Sequence, residues 1–239
     1  MINKRIKIFT DFDGTITKKD LGDEIFKIYG QFEPYHTQLI HKEIGIKEYW
    51  RLLFKTLPKD LTELEINKHA LTYEIDAYFM DFVNFCNEMN IELSVVSDGF
   101  EQYIKPILDK LKLNHITVKC NKMLFTDDGI IPFFSGADES CNCMSASCKR
   151  NAVINYAYDD TIIVFIGDGY SDFCAAEHSD IIFAKRNLAV YCNENKIPHH
   201  HFGTFFDIIQ ILKKILKEKS RIKQRNQALI KRKLAFESE

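Results

Sequence analysis

The sequence predicts an α/β fold: a parallel sheet covered by helices on both faces, with a helical unit inserted after the first strand. Three observations lead there. Apolar runs of strand length recur at Arg5–Thr10, Ile91–Val96 and Thr161–Ile166, and continuous Val/Ile/Phe runs read as strands buried on both faces. Each run ends in a Gly/Asp cluster: Asp11-Phe12-Asp13-Gly14-Thr15, Ser97-Asp98-Gly99, and Gly167-Asp168-Gly169-Tyr170-Ser171-Asp172. Helical patterns lie between the runs, such as Tyr78, Phe82, Phe85 and Met89 at spacings of three and four. Strands alternating with helices give a parallel sheet, whose ligand crevice lies outside the carboxyl ends of the strands. All three clusters fall at that end.

The elements follow in order. The basic start Met1–Thr10 is not followed by the apolar stretch of a secretory signal, and Asp11 and Asp13 come at once; an unexported, cytoplasmic protein is expected. Thr15 and Ser97 are then separated by about 80 residues, where a plain strand–helix–strand unit needs roughly 30. Leu21–Tyr29 and Ile46–Leu57 carry apolar residues at helical spacing, and Pro34 and Pro58 mark breaks. The surplus is therefore a helical cap over 17–75, above the crevice where a lid would sit. The core takes 1–16 and 76–216. Ile116–Phe134 flanks the tight-turn sequence Asp127-Asp128-Gly129 and predicts a β-hairpin flap. Asp180–Ala184 reads as a fourth parallel strand and Phe205–Leu216 as a core-facing helix. His199-His200-His201, after Pro198, reads as a surface turn.

Composition narrows the class. An apolar share of 46% and a charged share of 28% describe a globular chain, not a disordered one. No apolar run approaches the ~20 residues of a membrane span. A net charge of −2 argues against a chain that is wholly a nucleic-acid binder. That average hides a basic tail, 217–239: residues 213–233 hold ten Lys or Arg and only Glu218 as an acid. The tail reads as a solvated helix end, with nucleic acid or anionic membrane as the rival partner. The seven cysteines, an odd count without an export signal, are expected to be reduced. Cys141, Cys143 and Cys148, with Cys120, offer four thiolates for zinc; the lack of paired Cys-x2-Cys knuckles weighs against it.

Asp11 and Asp13, two residues apart at a strand end, point to the same side of an extended backbone. Clustered carboxylates repel, so a cation or a shared proton is expected. Asp168 and Asp172 reach the same crevice from the third strand. Carboxylates without a His cluster suit a hard cation, with Mg²⁺ first. Lys149 opens the helix before the third strand and supplies positive charge. Ser97 and the backbone N–H groups of Asp98 and Gly99 can bind an oxyanion. A carboxylate nucleophile, a second carboxylate, Mg²⁺, a lysine and a hydroxyl suit phosphoryl transfer.

Asp11-Phe12-Asp13-Gly14-Thr15, Ser97, Lys149 and Gly167-Asp168-Gly169-Tyr170-Ser171-Asp172 resemble, in order and spacing over roughly residues 5–210, the four motifs of the haloacid dehalogenase superfamily, phosphatase branch. The resemblance implies a Rossmann-like core with a helical cap after the first motif. It implies Asp11 as the nucleophile and Asp13 as the acid that protonates the leaving oxygen and then activates water. It implies Mg²⁺ on Asp11, the carbonyl of Asp13 and Asp168, supported by Asp172, and phosphate on Ser97 and Lys149. Two features depart from the pattern: Asp98 stands where close relatives often have Gly, and Arg150 follows Lys149 as a second cation.

The cap and Cys120–Lys149 are most similar to methionine-salvage enol-phosphate phosphatases and to phosphoserine and phosphocholine/phosphoethanolamine phosphatases. By that resemblance Asp20 and Asp23 would bind a substrate amino group; read from the residues, they are helix N-terminal carboxylates. Arg51 could pair with a substrate carboxylate, against the reading of a solvated helix residue. Phe26, Tyr29, Tyr49, Trp50 and Phe54 read as core packing, with an apolar pocket as the rival. The expected partner is a small phosphorylated metabolite, and the expected assembly a monomer or homodimer. Pyridoxal phosphate is a further substrate candidate, and a phosphate-binding regulatory protein is the rival outside enzymes.

Overall fold

The structure, a computed structural model, describes residues 5–136, 141, 143–157, 160–218 and 222–237. Strands β1 (Arg5–Thr10), β2 (Glu92–Phe100), β3 (Thr117–Thr126), β4 (Gly129–Phe133), β5 (Thr161–Gly167), β6 (Ile181–Ala184) and β7 (His200–His201) form a sheet in the order β4-β3-β2-β1-β5-β6-β7. All neighbours are parallel except β3 and β4. β1 is central because its side chains serve both faces. Ile6 and Ile8 enter one apolar layer and Phe9 the other. β5 divides the same way, with Ile162, Val164 and Ile166 on one face and Ile163 and Phe165 on the other. The chain leaves β1 toward β2 and later returns to β5 on its opposite side. That strand-order reversal is where such sheets bind ligands. In register, Thr10 lies beside both Val95 and Ile166, so the segments after β1 and β5 emerge level with each other.

The helices are α1 (Leu21–Tyr29), α2 (Tyr35–Ile40), α3 (Ile46–Lys55), α4 (Glu63–Ala70), α5 (Phe79–Glu88), α6 (Glu101–Lys110), α7 (Lys149–Ile154), α8 (Phe173–Glu177), α9 (Arg186–Glu194), α10 (Phe205–Lys217) and α11 (Asn226–Glu237). α5 and α10 cover one face, where the rings of Phe79 and Phe82 meet Phe205 at 5.1 and 4.9 Å. α7, α8 and α9 cover the other through Val153, Ala175, Ala176 and Leu188. α1 to α4 form the inserted unit. A β-bridge between Thr17 and Ile75 joins the outgoing and returning chain at its base. Asp20 caps α1 by accepting from the Asp23 N–H at 2.9 Å, and Thr62 with Glu65 forms a capping box on α4. Phe26 and Phe54 are fully packed, and Trp50 and Phe54 stand edge-on against Phe100 of β2, 5.1 and 4.9 Å between centroids. The aromatic stripe thus joins the cap's core to the end of a sheet strand.

The expected hairpin is present as β3 and β4, and three other expectations change. The first half of β3 is a parallel sheet strand beside β2, and only its second half pairs with β4. The second strand runs past Val96 to Phe100, shifting register against β3 on the way. His200 and His201 are the edge strand β7, not a turn, because they find the free side of β6 at Phe183 and Ala184. The described part of the basic tail is a docked helix, not a solvated end; Lys219 and Arg221 of that tail lie outside the described residues. Arg232 of α11 is buried, bonds Asp180 Oδ2 at 2.9 Å and donates to the His178 carbonyl at 2.7 Å. Arg225 donates to the carbonyls of Ala176, Glu177 and Ser179. A net-charge argument could not see this, because it counts charges without their partners. Among the described residues no helix is long and apolar enough to cross a membrane.

Removing one member of a buried ion pair leaves the other uncompensated. Arg232→Ala is expected to lower stability by about 3–5 kcal/mol, read as a lower urea midpoint, whereas Lys233→Ala, on an exposed position, stays near the parent.

Candidate active site

The crevice is assembled from the ends of β1, β2 and β5 and the start of α7. Asp11 follows β1, and its N–H donates to the Ile166 carbonyl of β5 at 2.8 Å. Lys149 begins α7 and is 1% exposed. Its ammonium lies between two carboxylates, 2.5 Å from Asp11 Oδ1 and 2.6 Å from Asp172 Oδ1. Burial opposes the charge on Lys149, but Asp11 and Asp172 outweigh it and raise its pKa. Burial pushes Asp11 well up; Lys149 opposes this, while Asp172 and Asp168 add to it. The other oxygen of Asp11 takes part in no hydrogen bond among the described residues.

Asp172 is held on both sides. Its Oδ2 accepts the backbone N–H groups of Asp168 and Gly169 at 2.8 and 2.9 Å. A Cβ at Gly167 would collide with that carboxylate, so the tight approach requires glycine. Asp168 accepts from Thr15 Oγ1 at 3.2 Å and from Arg186 Nη1 at 2.9 Å. Gly14 makes the turn after β1 at φ +72°, and a Cβ there would stand 2.5 Å from Asp168 Oδ2. Asp11, Asp168 and Asp172 bring carboxylate oxygens within 4.8 Å of one another. Oxygen donors at this spacing, with no sulfur or imidazole among them, fit a hard divalent cation.

Asp13 faces the same cavity. Its Oδ1 accepts the Leu21 N–H at 3.0 Å; its Oδ2 accepts Tyr103 Oη at 3.0 Å and Ser97 Oγ at 3.3 Å. Burial first, and then the charge of Asp20, push its pKa up to about 8, so it carries a proton at neutral pH. Gly99 gives its N–H to Ser97 Oγ at 2.9 Å, and a Cβ on it would strike the Tyr103 hydroxyl. Its position makes room for the Asp13–Tyr103 contact rather than offering a free donor.

Asp98 is turned to another task. Its carboxylate accepts the N–H groups of Ala146 and Ser147 at 2.9 and 2.8 Å and Asn121 Nδ2 at 3.1 Å. The carboxylate thus latches the loop that leads into Lys149, which answers why an extra acid is tolerated beside the crevice. Arg150 follows on α7, and among the described residues it is Lys149 whose side chain bonds the Asp11 carboxylate.

The cavity above these groups has a volume of about 480 Å³ and continues into the cap. Asp20 and Asp23 line it, as do His36, Tyr49, Trp50, Leu39, Ile40, Ile46 and Met144. Asp20 is both a helix cap and a cavity wall. Burial and Asp23 raise it to about 7, while burial raises Asp23 to about 6 against the pull of Lys27. His36 Nδ1, Tyr49 Oη and Trp50 Nε1 are buried with no hydrogen-bond partner among the described residues. Arg51 does not join the cavity. The register of α3 turns Tyr49, Trp50, Leu53 and Phe54 inward and leaves Arg51 exposed, 4.0 Å from Glu48. Cys120 is also apart from the other loop cysteines, buried in β3; Cys174 of α8 takes the fourth place beside Cys141, Cys143 and Cys148.

Sequence reading did not find Tyr103, Arg186, Met144 or the unpartnered tips of His36, Tyr49 and Trp50. Thr15 was in the quoted motif without a role. Tyr103 sits four residues after Gly99, one turn along α6, which is the one spacing that could have flagged it.

The family model of haloacid dehalogenase-like hydrolases matches residues 8–177. The chain is 31% identical over 220 residues to the 2-hydroxy-3-keto-5-methylthiopentenyl-1-phosphate phosphatase of Brevibacillus brevis, covering 91% of this chain and 99% of that protein. It is 30% identical to the protein of the same name from Bacillus mycoides, covering 90% and 99%. Its fold is similar to a phospho-aspartyl intermediate analogue of phosphoserine phosphatase, with a TM-score of 0.65 at 19% identity over 90% of this chain and 99% of the other.

Lys149→Met would leave Asp11 and Asp172 facing each other without the ammonium. At neutral pH in metal-free buffer it is expected to destabilise the fold by about 3–5 kcal/mol, measured by denaturant unfolding.

Proposed function

The chain belongs to the haloacid dehalogenase-like hydrolases, and from that premise we propose that it is a Mg²⁺-dependent phosphomonoesterase acting through an aspartyl-phosphate, with the enol-phosphate of methionine salvage as substrate. The observation that carries the reading is the state of Asp11. Lys149 holds one of its oxygens at 2.5 Å, and the other is free of hydrogen bonds among the described residues. A carboxylate pinned by one oxygen presents the other as a nucleophile.

Asp11, Asp168 and the backbone carbonyl of Asp13 would hold Mg²⁺, which supplies charge neutralisation of the phosphoryl oxygens. Asp172 keeps Asp168 and Lys149 in place through its three hydrogen bonds, to Lys149 and to the N–H groups of Asp168 and Gly169. The free oxygen of Asp11 attacks phosphorus, and the ester P–O bond breaks. Asp13 gives its proton to the departing oxygen; a pKa of about 8 leaves it loaded at neutral pH. The resulting Asp13 carboxylate then takes a proton from the water that attacks the aspartyl-phosphate, and Asp11 and inorganic phosphate are released. Ser97 and Lys149 bind the phosphate.

The substrate reading rests on the cap side of the cavity. Of its described lining residues only Arg186 carries a full positive charge, and Asp168 already pairs with it. Burial lowers the pKa of His36 and keeps it neutral. A leaving group bearing a carboxylate, as in phosphoserine, finds no counter-ion there. A methylthio tail finds the apolar wall of Leu39, Ile40, Ile46 and Met144. The names of the two bacterial relatives support the same choice. A second reading has its own observation: Asp20 and Asp23 beside Tyr49 and Trp50 also suit a cationic head group, as in phosphoethanolamine or phosphocholine.

EDTA and Asp11→Asn are each expected to abolish turnover, and Asp13→Asn to lower kcat by about 10²–10⁴-fold; turnover by Asp11→Asn would sink the mechanism. In a hydrolysis screen the methylthio enol-phosphate is expected to have the highest kcat/KM. Phosphoserine at its level would overturn the substrate reading. Phosphocholine above it would favour the second reading, as would phosphoethanolamine. No turnover of any of these or of pyridoxal phosphate would point to a phosphate-binding regulatory protein.

A further inference from the structure

Behind the crevice lies a cluster that the phosphatase reading does not use. Cys141, Cys143 and Cys148 come from the loop before α7, and Cys174 from α8; their sulfur atoms all lie within 4.8 Å of one another. Cys141 Sγ is 3.6 Å from Cys174 Sγ and 3.4 Å from Cys148 Sγ. We propose that these four cysteines hold a structural zinc ion, a site separate from the carboxylate centre.

Three physical arguments support it. The first is geometry. Four thiolates at the Zn–S distance of about 2.3 Å form a tetrahedron with edges of about 3.8 Å. The observed separations are close to that edge, so the thiols need only small adjustments to close on an ion. The second is donor chemistry. Soft sulfur ligands with no carboxylate among them select zinc over magnesium, whereas Asp11, Asp168 and Asp172 offer only oxygen. The two sites therefore sort the two metals. The third is burial: Cys148 is buried and Cys141, Cys143 and Cys174 are half-buried, a setting that fits a closed structural site. With four protein ligands no coordination position stays open, so the ion is structural and not a second reaction centre.

The ion would act through its neighbours in sequence. Cys148 immediately precedes Lys149, and Cys174 stands two residues after Asp172. The zinc thus bridges the same two segments that the Lys149–Asp172 ion pair bridges. Cys143 precedes Met144, a wall of the substrate cavity. Between the ligands, Ala146 and Ser147 are latched by Asp98. Metal and latch together fix a loop that carries a cavity wall at one end and the phosphate lysine at the other. The four thiols lose protons as the ion binds, so retention weakens at low pH.

The full-length chain, purified without an affinity tag that binds metal and dialysed against excess Mg²⁺, is expected to carry one equivalent of zinc by elemental mass spectrometry. Cys143→Ser/Cys174→Ser is expected to lose it, and Asp168→Asn to keep it. Because loss of the metal can itself unfold the double variant, the parent chain is also refolded with cobalt(II) alone. Strong sulfur-to-metal charge-transfer absorption with the intense visible bands of tetrahedral cobalt is the expected result. Weak octahedral bands overturn the proposal. So does a metal-free parent chain whose cysteines titrate as free thiols or prove joined as disulfides. Zinc that disappears in Asp168→Asn but persists in the double cysteine variant overturns it as well.

Discussion

The buried ammonium of Lys149 is the contact on which the site depends. Asp11, Asp168 and Asp172 bring three carboxylates into one crevice, and such a group cannot stay ionised in a poorly solvated interior without compensation. Lys149 sits against two of them at 2.5 and 2.6 Å. Arg186 sits against the third at 2.9 Å. With both cations counted, the cluster still carries surplus negative charge, which a divalent ion would reverse to suit a phosphate dianion. The ammonium also sets orientation. By occupying one oxygen of Asp11 it leaves the other without a hydrogen bond among the described residues.

Holding that lysine in place takes several elements of different kinds. The β2 extension carries Asp98, whose carboxylate bonds the loop before α7 through two backbone N–H groups. Asn121 of β3 bonds Asp98 in turn, so the sheet edge braces the same loop. Asp172 reaches Lys149 from the other side and is itself fixed by the N–H groups after β5. Lys149 is therefore tied to three strands without belonging to any. The cap is coupled to the same edge, because Trp50 and Phe54 pack on Phe100 at the end of β2, three residues past Ser97. Asp13 spans the two units: it bonds Leu21 at the start of α1 and Tyr103 on α6. Movement of the cap on the core would change the surroundings of Asp13 as well as the size of the cavity.

Much of the core was legible because it rests on local patterns. The β1, β5 and β6 runs are continuous apolar stretches, and side chains buried on both faces leave such runs few other uses. Asp11 and Asp13 were legible because an extended backbone sends i and i+2 to one side. The cap was legible as excess length with helical periodicity. Less was legible wherever a residue's role depends on a partner far along the chain. Asp98 looked like a surplus charge near the phosphate until Ala146 and Ser147 supplied their N–H groups. Arg232 looked like part of a solvated basic tail until Asp180 received it. Arg51 shared an aromatic-rich helix with cavity residues, yet one position of register places it in solvent. Cys120 lay near the cysteine loop in sequence, but Cys174 is the one that meets it in space.

From the order of residues alone came the α/β class, the inserted cap and the gathering of carboxylates at the strand ends, since each follows from spacing along one segment and from the charge of a side chain. The fold was needed for the pairing of Lys149 with both Asp11 and Asp172, for Tyr103 on Asp13, for the absence of an unpaired cation among the cavity's described lining residues and for the fourth cysteine. Each of these joins segments that meet only when the sheet closes and the cap packs on it. Hydrogen bonds and ion pairs of a few ångströms are set by that closure, and periodicity along a chain carries no record of which distant side chain will stand opposite.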